Sequence, residues 1–156
     1  MAFRIVATLL AEGASLDRFT DRLTAFNMME AVFAPTLPAV IGKLVVVNIY
    51  EVDGDREPRW ERVTVLDAEG QPLAEARTEL LGEGAAHRSM AMFQGIRLAT
   101  AGDCRILVEG ARRADGPWQE VARRRLHVVL RPHPLARPDE GPPEAGTIRG
   151  PAALTD

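Results

Sequence analysis

The chain has 156 residues, of which 46% are hydrophobic and 26% are charged, and its formal net charge is −3 at pH 7. This length suits one ordinary domain, and the acidic balance argues against general nucleic-acid binding, which usually requires a basic excess. The single cysteine, Cys104, excludes an intramolecular disulfide and a zinc site built from several cysteines.

The N-terminal apolar stretch from Ile5 to Ala11 predicts a first β-strand. Glu12 interrupts the stretch, whereas a secretory signal or a membrane span needs a longer uncharged run. Since no other stretch approaches spanning length, we expect a cytoplasmic protein without membrane contact. A lone cysteine is compatible with that reducing compartment.

Short apolar runs separated by turn residues organise the chain as far as residue 130. Strands are predicted at about 3–11, 22–33, 43–52, 59–67, 72–81, 88–98, 102–112 and 118–130. Turns are predicted at Glu12–Ser15 and at Asp67–Gly70, where Gly70 is expected to adopt a positive φ. This spacing, with no long helical window, is typical of an all-β sandwich or barrel.

Alternation of apolar and polar residues assigns one face of each strand to the core. Val63 and Val65 alternate with Arg62 and Thr64, and a period of two indicates a half-buried strand. The predicted core includes Ile5, Leu9, Val46, Val63, Val65, Ile106, Val108 and Val128.

Residues 15–33 have two interpretations. Leu16, Phe19 and Leu23 fall near the spacing of an amphipathic helix, and Asp17 would suit its N-terminus. The surrounding all-β pattern favours a strand over 22–33, and the helix remains the alternative.

The composition changes after Leu130, where proline and glycine become frequent. Such a segment has few large apolar residues to bury. We therefore expect a sandwich domain over 1–130 and an extended or disordered tail over 131–156. If the tail docks on a neighbouring chain, Leu135, Ile148 and Leu154 are its apolar anchors.

Several segments resemble a bacterial family of small β-sandwich proteins whose function is not assigned. The matching segments are FTDRLTAFNMMEAVFAPTLPAVIGKLVVVNIYEV, VTVLDAEGQPLAEAR and FQGIRLATAGDCRILVEG, and the similarity covers about residues 3–130. Cys104 stands where the family often has an aromatic residue. The resemblance implies an immunoglobulin-like antiparallel sandwich of about eight strands and supplies no catalytic residues.

Residues suited to nucleophilic catalysis are few. Ser89 and His87 lie two apart on a predicted strand, but no third group that would orient the histidine is apparent. Cys104 falls on the inward set of its strand, where a thiol is inert. We therefore expect no enzymatic activity, no cofactor and no defined small-molecule substrate.

Two charged groups could bind a ligand. Asp53, Asp55 and Glu57, in the acidic 51–57 loop, are weak candidates for Ca²⁺, because the ligand spacing of an EF-hand is incomplete. Five arginines flank the last hairpin turn, and four of them are candidates to recognise an anion or an acidic partner, although charges also protect exposed strand edges. The four candidates are Arg112, Arg113, Arg123 and Arg125.

The run from Leu44 to Tyr50 is apolar on both faces except at Asn48. A strand in a sandwich needs one apolar face, so Val45, Val47 and Ile49 are expected to contact a partner or a further layer. The favoured function is a non-enzymatic interaction or assembly module that binds a protein partner or a second copy of itself. A sandwich that binds a small ligand or a metal is the alternative.

Overall fold

The computed structural model describes residues 2–17, 19–20, 22–53, 59–80 and 86–131. These residues form nine β-strands and no helix, so the all-β prediction is confirmed. The strands are β1 (Ala2–Asp17), β2 (Arg22–Met28), β3 (Ala31–Ala34), β4 (Ala39–Asp53), β5 (Arg59–Leu66), β6 (Pro72–Leu80), β7 (Ala86–Leu98), β8 (Gly102–Ala111) and β9 (Gln119–Leu130). The tail beyond Arg131, with its three proposed anchors, lies outside the described residues.

The strands pack as two sheets. One has the order β2-β1-β4-β7 and the other the order β3-β9-β8-β5-β6. Their strand pairs are antiparallel except for the short parallel pair of β3 with β9. The neighbours β1-β4-β7 and β9-β8-β5 correspond to strands A-B-E and G-F-C of an immunoglobulin sandwich, so the predicted immunoglobulin-like fold is confirmed.

The core lies between the two sheets and matches most of the predicted set. The fully enclosed predicted residues are Val46, Val63, Val65, Ile106, Val108 and Val128, and Ile5 is half-buried against them. Each lies on the inward side of its strand. The period-two pattern therefore located this part of the core correctly.

The prediction of Leu9 as a core residue is wrong. The register of β1 against β4 shifts between Ile5 and Ala7, which leaves Val6 as an extra residue. An extra residue reverses the alternation that follows it. Leu10 therefore enters the core, and Leu9 lies on the outer face of the sheet.

Residues 22–33 are extended, which confirms the strand interpretation over the helical one. The segment is divided, because β2 pairs with β1 whereas β3 pairs with β9 in the other sheet. The chain changes sheets at Met29 and Glu30.

The predicted turn at Glu12–Ser15 is wrong, since β1 continues through it to Asp17 in register with β2. The turn lies at Asp17 instead, whose carboxylate accepts hydrogen bonds from the Thr20 hydroxyl at 2.7 Å and the Phe19 amide at 2.9 Å. Both bonds lower the pKa of Asp17. The other predicted turn is correct, and Gly70 has a φ of 88°.

Candidate functional site

The outer face of the four-stranded sheet contains a continuous apolar region. Met28, Ala11, Val45 and Met92 are register partners on successive strands and form one row across the whole sheet, about 14 Å wide at ordinary strand spacing. Leu9, Val47 and Met90 form a second row on β1, β4 and β7. We call these two rows, together with Phe26 on β2, the apolar face.

The side chains of the apolar face differ in exposure. Val45 and Val47 are 1% and 0% exposed, and Ile49 is partly buried. The exposed side chains are Phe26, Met28, Met90 and Met92, which are 41–55% accessible. A partner on this face would therefore touch the methionines and Phe26 before the three residues predicted from the sequence.

The outer face of the five-stranded sheet is charged instead, and its charges are largely paired. The pairs are Arg62 with Glu109 at 2.7 Å, Arg77 with Glu75 at 2.8 Å, and Arg123 with Glu120 at 2.7 Å. The His127 ring is also 2.6 Å from the Asp103 carboxylate. The Arg62 guanidinium also lies over the ring of Trp118, 4.7 Å from its centroid. The two sheets thus differ in the surface that they present, although Phe33 and Val129 are also exposed on β3 and β9 of the five-stranded sheet.

The four arginines predicted as a patch do not meet at one place. Arg112 and Arg113 lie in the β8–β9 turn, where Arg113 pairs with Asp115 at 3.1 Å. Arg125 lies six residues into β9, about 20 Å along the strand, and its guanidinium is 3.8 Å from the Asp103 carboxylate. Because Arg123 is also paired, the described residues form no shared anion site from this set.

The acidic 51–57 loop lies largely outside the described residues, which include neither Asp55 nor Glu57. Asp53 ends β4, and its side chain is likewise outside the description. In the part of the chain that the structure does describe, no three histidine, cysteine or carboxylate side chains come together as metal ligands. The calcium hypothesis for this loop stays untested.

The Ser89–His87 pair does not form a solvent-facing unit, because the Ser89 side chain is buried between the sheets. The side chain of His87 lies outside the described part. Cys104 is buried, as predicted, and burial raises the pKa of its thiol.

The core contains a polar cluster that the sequence interpretation missed. Glu61 on β5 is 1% exposed and reaches across to the four-stranded sheet. Its carboxylate accepts hydrogen bonds from Asn48 Nδ2 at 2.9 Å, from Ser89 Oγ at 2.8 Å and from the Tyr50 hydroxyl. The Thr8 hydroxyl donates to Asn48 Oδ1 at 2.8 Å, which fixes the orientation of that amide. We call these five residues the Glu61 cluster.

Burial raises the pKa of Glu61, because a carboxylate loses its hydration between the sheets. The hydrogen bonds from Ser89 and Asn48 act in the opposite direction, since they favour the ionised form. Desolvation is the larger effect.

A signal for this cluster was present in the sequence. Glu61, Val63 and Val65 alternate along β5 and so share one face of the strand. Both valines were predicted to face inward. Alternation therefore indicates a buried carboxylate at Glu61, which the sequence analysis did not identify, and a buried carboxylate requires donors on the facing sheet.

No family model matches the chain, and no curated protein matches it. Among solved structures, it is similar to a β-glucuronidase of Bifidobacterium dentium, with a TM-score of 0.43 and 12% identity over 81% of this chain and 18% of the glucuronidase. The immunoglobulin-like protein PA1606 of Pseudomonas aeruginosa gives 0.36 and 14%, over 83% of this chain and 98% of that one. The N-terminal domain of PorA gives 0.27 and 12%, over 81% and 98%.

At these values the similarity carries no activity, ligand or partner to this chain, and the fold assignment rests on the observed strand order. Membership of the bacterial family that the sequence resembles stays a prediction. Among the described residues, no helix is long and apolar enough to cross a membrane.

Proposed function

We propose that this protein is a non-enzymatic interaction module that binds a protein partner through the apolar face. The observation that carries the proposal is the row from Met28 to Met92, which crosses all four strands and keeps large apolar side chains exposed at both ends. Contiguous exposed apolar surface commonly marks an interface. Methionine is well suited to such a surface because its flexible thioether adapts to the shape of a partner.

The contrast between the two sheets supports one-sided binding. The five-stranded sheet carries paired charges that water and salt can solvate, whereas the apolar face gains free energy when another apolar surface covers it. A second copy of the chain is the simplest partner, because it brings the same apolar row and symmetric dimers are the commonest oligomers.

The environment of the two potential nucleophiles, Ser89 and Cys104, supports a role without catalysis. The Ser89 hydroxyl is engaged with Glu61 inside the core, and the Cys104 thiol is buried with a raised pKa. A single buried thiol also fits a reducing compartment, so we propose a cytoplasmic location.

Sedimentation velocity over a range of micromolar concentrations tests the proposal. We expect the wild-type chain to reach twice its mass of 17.0 kDa, and Met92→Lys to remain monomeric because it places a charge within the apolar contact. The matched control is Val129→Lys, which changes an exposed apolar residue on the charged sheet and should leave the dimer intact.

Thermal unfolding of both variants, measured in dilute solution, establishes that each is folded. A wild-type chain that stays monomeric throughout contradicts self-association. Equal dissociation by Met92→Lys and Val129→Lys contradicts the assignment of the contact to the apolar face.

A further inference from the structure

The Glu61 cluster lies directly behind the apolar face. Thr8, Asn48 and Ser89 are register partners on β1, β4 and β7, and they form a row facing inward. Leu9, Val47 and Met90 are the next residues along the same three strands, and they form the row facing outward. The polar row and the apolar row are therefore the two sides of one stretch of sheet.

Glu61 links this stretch to the opposite sheet. Its carboxylate comes from β5 and contacts Asn48 and Tyr50 on β4 and Ser89 on β7. Between two sheets held mainly by non-directional apolar packing, these hydrogen bonds provide a directional connection. The positions of β4 and β7, which carry half of the residues of the apolar face, therefore depend on how the hydrogen bonds of this carboxyl group are satisfied.

The hydrogen-bond pattern of the cluster allows Glu61 to carry one proton. Thr8 donates to Asn48 Oδ1, so the Asn48 amide group must donate to Glu61 Oε2, which stays an acceptor. Ser89 Oγ lies 2.8 Å from Glu61 Oε1 and can accept as well as donate. A proton on Oε1 would thus be donated to Ser89, and the serine hydroxyl would turn to another acceptor.

The elements packed around the cluster carry charged groups on β4, β5, β7, β8 and β9. Alternation directs Arg88 on β7, Glu51 on β4, and Arg62 with Glu109 on β5 and β8 to the outer faces. Arg124 on β9 donates to the backbone carbonyl of Thr8 at 3.1 Å. The side chain of His87 lies outside the described residues, and Thr78 and Gly110 are the register neighbours of Glu61 on β6 and β8.

We propose that the Glu61 cluster is a proton-operated latch between the two sheets, and that its state regulates association through the apolar face. When Glu61 is protonated, its hydrogen bonds connect the two sheets without a buried charge. When the proton leaves, the charge on Glu61 is buried between the sheets without its hydration, so the packing behind Val47 and Met90 loosens and association weakens. The regulatory half of this proposal rests on the proposed function, whereas the latch itself does not.

The direction of the pH dependence follows from burial. A carboxyl group that is harder to ionise in the folded chain than in the unfolded chain stabilises the fold most at acidic pH. That contribution is complete below the unfolded pKa of a glutamate and is lost as the pH rises through the raised folded pKa of Glu61. The connection between the sheets is therefore strongest at acidic pH and weakens as the pH rises.

Tyr50 gives a direct readout, because it is the only tyrosine in the chain and its hydroxyl contacts Glu61. In protein labelled with ¹³C at the tyrosine ζ carbon, we expect the Tyr50 signal of folded wild type to titrate once, at a pH above the ordinary pKa of a glutamate. Glu61→Gln should abolish that titration, since glutamine can accept from Asn48 and donate to Ser89 as the protonated acid does. Glu109→Gln, which changes a carboxylate on the outside of the same sheet, should leave it unchanged.

Ser89→Ala provides a second variant should Glu61→Gln fail to fold. Removing the Ser89 hydroxyl takes away a donor that favours the carboxylate, so the midpoint of the Tyr50 titration should move to higher pH. A Tyr50 signal that does not titrate in folded wild type, or one that titrates equally in Glu61→Gln, overturns the latch.

Sedimentation equilibrium at the two ends of the titration tests regulation. We expect the wild-type dimer to dissociate about fivefold more readily at the alkaline end, and Glu61→Gln to lose this dependence. A wild-type dimer whose Kd does not change while Tyr50 titrates overturns the regulatory half. A chain that is monomeric at both ends overturns the proposed function, and the Tyr50 titration still decides the latch.

Discussion

Val45 lies directly opposite Met92 on the neighbouring strand, and the valine is enclosed whereas the methionine side chain is 54% exposed. The two residues share one row of the same apolar face, yet they have different physical roles. Val45 is covered within its own chain and contributes to the stability of the monomer. Met92 remains accessible and can contribute to binding.

This difference predicts that the same substitution changes the free energy of unfolding much more at Val45 than at Met92. Val45→Thr buries a hydroxyl and should lower the free energy of unfolding by about 1–2 kcal/mol. Met92→Thr should change it by less than about 0.5 kcal/mol, because the methionine is half-exposed already. Urea unfolding in dilute protein, where association does not contribute, measures both values, and equal losses would contradict the assignment.

A second prediction concerns Phe26, whose ring lies over Gly13 on the adjacent strand. A β-carbon at Gly13 would overlap the edge of that ring, so Gly13→Ala must displace Phe26 into solvent. We expect a loss of about 1 kcal/mol. In the Phe26→Ala background the same substitution should be neutral or stabilising, because alanine restricts the unfolded chain more than glycine does.

A double-mutant cycle measured by urea unfolding gives the interaction between Gly13 and Phe26. Coupling of the two substitutions supports the packing of the ring on the glycine. Simple additivity would show that the ring contributes nothing at this position.

The sequence predicted the strands well because their apolar residues alternate and their turns are marked by glycine and aspartate. It failed where one residue changes the register. The extra residue at Val6 exchanges the roles of Leu9 and Leu10, and no local pattern at Val6 distinguishes it from its neighbours. Likewise, Glu12–Ser15 has turn residues but lies within β1, because β2 pairs alongside it.

The apolar face was predicted only in part for a related reason. The run from Leu44 to Tyr50 showed that β4 has two apolar faces. The exposed residues beside it come from β2 and β7, and their proximity depends on the strand order of the sheet. Met28 and Met92 are separated by 64 positions in sequence, so no pattern along the chain could bring them together.

A third prediction concerns Cys104, which is buried in the core with a pKa raised by burial. A thiol reagent should not modify it in the native protein, because the reactive thiolate is disfavoured and the sulfur is inaccessible. Labelling should become complete in denaturant and follow the unfolding curve. Cys104→Ser should destabilise more than Cys104→Ala, since it leaves a hydroxyl in the apolar core, and rapid native labelling would contradict the burial.

The last prediction concerns Arg62, which the Glu109 carboxylate holds against Trp118. The Arg62–Glu109 bond is 2.7 Å long and both side chains are partly buried, and this hydrogen bond raises the pKa of Arg62. Glu109→Gln should therefore lower the free energy of unfolding by about 1 kcal/mol and change the fluorescence of Trp118. Glu120→Gln breaks an exposed pair with Arg123 and should cost less than about 0.5 kcal/mol. Urea unfolding followed by tryptophan emission measures both variants. Equal losses in the free energy of unfolding, with unchanged emission, would show that the partial burial of the Arg62–Glu109 pair adds nothing to its strength.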